Sequence, residues 1–115
     1  MHTALLILNL LVSFASGAAA VLALIRPTQF SGSQRVESGE RFYAQMYAAR
    51  AIPFGLAAGL LPLRFAEPAV AWVLLTAGVI QALDALIAVG KRNQGMVIGS
   101  SIGAVVHFVV GFTLV

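Results

Sequence analysis

Four apolar runs divide this chain: Ala4 to Ile25, Phe42 to Leu63, Pro68 to Val89 and Gln94 to Val115. Each is about 22 residues long, enough for a helix to cross a hydrocarbon core about 30 Å thick. Lipid offers no hydrogen bonds, so every spanning backbone N–H and C=O must be paired within the protein, which leaves helices or a closed barrel. The runs show no alternation of apolar and polar residues, so barrel strands are excluded. The expected fold is all-α: a single domain over residues 1–115, an integral membrane four-helix bundle with up-down antiparallel topology.

The composition agrees. Of the 115 residues, 60% are hydrophobic and 10% are charged, with a mean hydropathy of +0.95. Soluble domains carry about 25% charge, and a water-soluble chain of this size has no means of hiding so much apolar surface. Disorder is excluded too, because disordered chains are poor in apolar residues and rich in charge. With no cysteine there is no disulfide framework, thiolate nucleophile or Cys-based metal site. The pI of about 10.2 does not indicate nucleic acid as a partner, since the basic residues stand singly at the ends of apolar runs and form no basic face.

The first run has a competing reading, a signal-peptide core over Ala4 to Phe14 followed by the small residues Ala15 to Ala20. No Lys or Arg precedes it and the apolar run continues to Ile25, so a retained helix is expected. The connectors are Arg26 to Arg41, Arg64 to Glu67 and Gly90 to Asn93. The two short ones imply hairpins between the second and third helices and between the third and fourth. Pro68 suits the first turn of the third helix, where its missing N–H breaks no bond. The long connector reads as a polar loop, or as a lid over a cavity at that end.

Arg26, Arg35, Arg41, Lys91 and Arg92 fall on one side of the bundle and Arg64 alone on the other. By the positive-inside rule, loops 26–41 and 90–93 are cytoplasmic and both termini outside, in the membrane of a cell or organelle.

Two charges remain in the spans. An Arg or Asp at a helix centre costs about 2.5–3.5 kcal/mol on insertion scales, so each demands a reason. Arg50 lies roughly 12 Å from the cytoplasmic end of the second helix; Asp84 and Gln81 lie roughly 8 and 12 Å from that end of the third. An Arg50–Asp84 ion pair, with Gln81 as a further partner, is therefore expected. Tyr43, Tyr47 and Arg50, spaced i, i+4, i+7, share one face, and Ser100 and Ser101 reach the same layer from the fourth helix. Asp84, Arg50 and Tyr47 are the candidate catalytic residues. Tyr43, Gln81 and Ser100 are candidate ligand-binding residues. Nearer the other surface, Asn9 and His107 are expected to meet, and they complete the ligand-binding candidates. His107 is a packing residue or the one interior group that titrates near neutrality.

Two histidines and four carboxylates show no metal-ligand spacing, so no metal is expected. A Ser100–His107–Asp84 triad is rejected, because His107 lies at another depth. Gly55 and Gly59, and Gly95, Gly99 and Gly103, stand at four-residue intervals that permit close helix approach, with Gly55/Gly59 or Gly99/Gly103 as possible faces for a second copy. Pro53 is expected to kink the second helix beside the charged layer.

Arg26-Pro27, the run Tyr47-Ala48-Ala49-Arg50-Ala51-Ile52-Pro53-Phe54-Gly55, and Leu83-Asp84-Ala85 resemble the DoxX-like group of small four-helix membrane proteins. The resemblance covers most of the chain and implies a four-helix bundle with an interior Arg and Asp. It implies no single activity, since such groups include quinone-reactive complex subunits, assembly partners and proteins of unknown role.

The expected function is an intramembrane polar site around Arg50 and Asp84 that binds or processes a lipophilic small molecule, by cofactor-independent acid–base isomerase, cyclase or epoxide-opening chemistry if it is an enzyme. The alternatives are a structural or assembly subunit of a membrane complex and a small proton-coupled transporter. The usual carboxylate of small multidrug-type antiporters, a glutamate in the first helix, is missing, and only Asn9 is found there.

Overall fold

A computed structural model describes residues 3–26 and 38–114 of the chain. These form α1 (Thr3–Ile25), α2 (Ser38–Arg64), α3 (Pro68–Gly90) and α4 (Gln94–Thr113), with no strand among the described residues. Each helix is long and apolar enough to cross a membrane. Large apolar side chains such as Leu11, Trp72, Leu86, Val105 and Phe112 are exposed on the outside, as lipid-facing residues are. Most of the long connector, and with it the expected lid, lies outside the described residues. Its last part is helical: α2 begins at Ser38, a turn earlier than the apolar run suggested.

The turns follow local rules. Pro68 opens α3, with the Glu67 carbonyl accepting from Val70 N–H at 2.9 Å and Ala71 N–H at 3.2 Å. The α3–α4 turn places Arg92 at φ 56°, the left-handed position after a helix where glycine is usual. Asn93 then caps α4, its Oδ1 accepting from Met96 N–H at 3.2 Å.

Packing follows connector length only in part. α1 lies along α2 and α3 along α4, α1 also meets α4, and α2 and α3 touch only sparsely. The second and third helices are joined by a three-residue link, as the expected hairpin requires, but pack on each other less closely than the third and fourth do. Small residues decide which helices come together. A Cβ at Gly55 would lie 3.0 Å from the Ser13 carbonyl oxygen, and one at Gly59 would lie 3.1 Å from Ser13 Cβ, so α1 seats directly on this face of α2. Gly78 faces the Phe108 ring, and Gly111 faces Leu74 and Leu75, which brings α4 onto α3 in the same way. Along both pairs residue numbers fall on one helix as they rise on the other. The core between the pairs is built from Ala58, Val70, Leu74, Ala77, Val106 and Val110, with Phe54 and Leu61 of α2 packed against it.

Candidate functional site

The polar residues of the spans form two layers of opposite character. In the layer toward the Arg64–Glu67 connector Asn9 and His107 are buried and paired. Pro62 lies inside α2, and a proline has no N–H to give the carbonyl four residues before it, here that of Ala58. Asn9 supplies the missing donor: its Nδ2 donates to the Ala58 carbonyl at 2.8 Å. That leaves Asn9 Oδ1 as an acceptor, and His107 Nδ1–H donates to it at 2.9 Å. Asn9 is 0% exposed and His107 2%. One amide therefore ties α1, α2 and α4 together. Asn9 and His107 meet as depth alone suggested, but what joins them is a helix repair with no opening to a ligand. Beside them, Ser13 is buried with its Oγ unpartnered, pressed against Gly59.

A second link lies deeper along α1. Gln81 Nε2 donates to Ser16 Oγ at 2.6 Å, and Ser16 donates in turn to the Val12 carbonyl at 3.1 Å. The Gln81 side chain fills the space left by Gly103, whose added Cβ would lie 3.0 Å from its amide carbon. Gln81 thus faces α1 and α4 and does not serve Arg50 or Asp84 as expected.

The layer near the basic end of the bundle is open. Tyr43 is 70% exposed and Tyr47 39%, and Arg50 on the same face is exposed. The expected Arg50–Asp84 ion pair is absent. Arg50 Nη1 donates instead to the Met46 carbonyl at 3.1 Å, one turn back along its own helix. Helical side chains lean toward the N-terminus, so the guanidinium is carried toward the basic end rather than across to α3. Asp84 is half-buried and receives no hydrogen bond from any described residue. Tyr47 is within electrostatic range of its carboxylate. Ser100 is half-buried on α4 and Ser101 exposed, with no hydrogen bond to this group.

Tyr43, Tyr47 and Arg50 share a stripe of α2 that continues, deeper in the bundle, through Phe54 and Leu61. Those two residues pack on the core, whereas the first three do not. On α3 the stripe of Asp84 continues through Ala77 to Val73 and Val70, again part of or packed on the core. Near the connector these stripes are apolar and packed on the core, whereas near the basic end they carry the exposed Tyr43, Tyr47 and Arg50 and the half-buried Asp84, beside the buried Ala44, Ala48 and Ala88. α2 runs unbroken through Pro53 and Pro62. A shallow recess of about 490 Å³ between Val89, Arg92, Gln94, Val97 and Ile98 includes none of the expected site residues.

Among the described residues no group of three or more His, Asp or Glu side chains is placed to hold a metal ion. Gly55, Gly59 and Gly103, expected as faces for a second copy, are occupied within the chain, while Gly99 has nothing within 4 Å of an added Cβ. Compared with known families, with curated proteins and with solved structures, the chain finds no significant match.

Proposed function

We propose that this protein is a multi-pass membrane protein of up-down antiparallel topology, with both termini outside and loops 26–41 and 90–93 cytoplasmic, whose α2–α3 seam binds or processes a lipophilic small molecule. One observation carries this reading: Arg50 and Asp84 are charges within the spans of α2 and α3, two helices that touch sparsely, and neither receives a counter-charge from a described residue. Charges at membrane depth persist where they meet a partner or a polar cavity. In this reading Asp84 gives or takes a proton, Tyr47 lies within electrostatic range of it, and Arg50 holds a ligand oxygen. Acid–base isomerisation, cyclisation or epoxide opening on a lipophilic substrate needs no more than these. Membership of the DoxX-like group is proposed alongside, and no step depends on it.

The test is identification, by mass spectrometry, of the small molecules that copurify with wild type, Arg50→Gln and Asp84→Asn. The expected result is a specific amphiphile in wild type, reduced about tenfold or more in both variants, which fold normally. Unchanged content and turnover in both variants overturns the reading.

A structural or assembly subunit is the second reading, favoured by the open Gly99 position between exposed Ile98 and Ile102. It requires a larger complex that survives purification and dissociates when Gly99 is enlarged.

A further inference from the structure

The recess where α3 turns into α4 includes no residue of either polar layer. It holds about 490 Å³ and is lined by Val89, Arg92, Gln94, Val97 and Ile98, a size within the range of about 300–1,000 Å³ usual for small-molecule sites. Its lining is sorted by depth. Arg92 stands in the turn and Gln94 opens α4, while Val97 and Ile98 lie about one turn further in, roughly 5–6 Å deeper. Val89, near the end of α3, forms the other wall, and both Val89 and Ile98 are exposed. A polar rim over an apolar floor, at the end of two helices long enough to cross a membrane, matches a phospholipid from its phosphate to the top of its chains.

Charge narrows the ligand. Arg92 and the adjacent Lys91 are exposed cations, and none of the five lining residues is acidic. The Arg92 guanidinium makes no hydrogen bond or ion pair with a described residue. Its planar fork can take two phosphate oxygens at once. The backbone gives a separate reason to look at this residue. Its φ of 56° is left-handed, a conformation that favours glycine and, after it, asparagine. Gly90 and Asn93 stand within two positions, yet the strained place holds an arginine. Strain kept where a more tolerant residue would relieve it points to work done by the side chain.

We propose that this recess binds an anionic phospholipid of the surrounding membrane, with its phosphodiester on the Arg92 fork and the Gln94 amide and the top of an acyl chain on Val89, Val97 and Ile98. A phosphocholine head brings its own ammonium toward two cations. A soluble phosphate leaves the apolar floor uncovered. The inference rests on α3 and α4 crossing a membrane and is independent of the α2–α3 seam.

The test uses the purified full chain in detergent, exposed in turn to phosphoglycerol and phosphocholine lipids of identical acyl chains and to chain-free glycerol 3-phosphate. Retained ligand is read by native mass spectrometry. Wild type is expected to hold the phosphoglycerol lipid about five- to tenfold more tightly than the phosphocholine lipid, and the chain-free head weakly. Arg92→Gly is expected to remove that preference and, with the left-handed strain relieved, to melt at the wild-type temperature or a few degrees above it. Arg92→Lys is expected to keep part of the preference. Ile98→Trp, which fills the floor from an exposed position, is expected to lower retention of the phosphoglycerol lipid. Arg41→Gln removes an exposed cation at the same end that does not line the recess, and is expected to change retention by less than about twofold. Arg50→Gln and Asp84→Asn are expected to leave it unchanged, which separates this site from the seam. Equal losses in Arg92→Gly and Arg41→Gln overturn the inference, because general surface charge then accounts for the binding. Equal retention of the two lipids overturns it too, as does glycerol 3-phosphate held as tightly as the lipid.

Discussion

The two polar layers put their side chains to opposite ends. Toward the Arg64–Glu67 connector, an amide and an imidazole are buried and hydrogen-bonded, and one of them replaces a donor that Pro62 removed from α2. Toward the basic end, an arginine, a carboxylate and two tyrosines line a seam without pairing across it. Buried polar groups left unpaired are costly, so a paired layer is what architecture alone selects. Charged groups held at membrane depth without a counter-charge need another reason, and the proposed ligand would supply it. Polarity inside a bundle therefore does not mark a site; unmet polarity at an opening does.

The largest effect that separates the layers is expected at Asn9. Asn9→Leu leaves the His107 N–H and the Ala58 carbonyl buried without partners, a loss of roughly 2–3 kcal/mol of stability. Replacing Asn9 and His107 together by leucines is expected to cost less than the two single changes summed, because the paired groups leave at once, although the Ala58 carbonyl remains unmet. Denaturant-induced unfolding in detergent micelles measures both, and strict additivity would break the view of Asn9 and His107 as one unit.

Gly55 and Gly99 come next, as occupied and open glycines. Gly55→Ala is expected to destabilise by roughly 1–3 kcal/mol, since the added methyl meets backbone that has no room to move. Gly99→Ala meets nothing and gains helix propensity, so it is expected to be neutral or stabilising by up to about 1 kcal/mol. Equal losses at the two positions would show that both faces are covered in the native protein, and would favour an assembly through α4.

A smaller effect is expected at the turn beside the open layer. Asn93→Ala removes the cap of α4 and is expected to cost about 1 kcal/mol, with ligand content unchanged. Loss of ligand in that variant would extend the site to the α3–α4 turn.

The four helices were legible because lipid imposes their length and leaves few alternatives: Arg26, Arg64, Pro68 and Asn93 mark the edges of the apolar runs. Depth arithmetic also brought Asn9 to His107, since two residues at one level of a narrow bundle have few other neighbours. It failed for Arg50 and Asp84, because equal depth says nothing of where a long side chain leans, and for Gln81, because it says nothing of rotation about the helix axis. Connector length placed α4 beside α3 but did not reveal that α2 packs more closely on α1 than on α3; Gly55 and Gly59 carry the signal for that. Ser16 as the partner of Gln81 had no sequence signal beyond its depth. The role of Asn9 did have one: Pro62 within an apolar run implies an unmet carbonyl at Ala58, and that carbonyl requires a donor from a neighbouring helix.

The central claim is that the paired layer holds the bundle together while the open layer holds a ligand. Its most direct test sets apparent melting temperature against copurified amphiphile for wild type, Asn9→Leu, Arg50→Gln and Asp84→Asn. The account predicts that Asn9→Leu lowers the melting temperature by roughly 10 °C, and that the two seam variants stay within about 2 °C of wild type once ligand is stripped from all four. Before stripping, the seam variants are the ones that have lost the amphiphile. Seam variants that melt as low as Asn9→Leu while retaining wild-type amphiphile would contradict it.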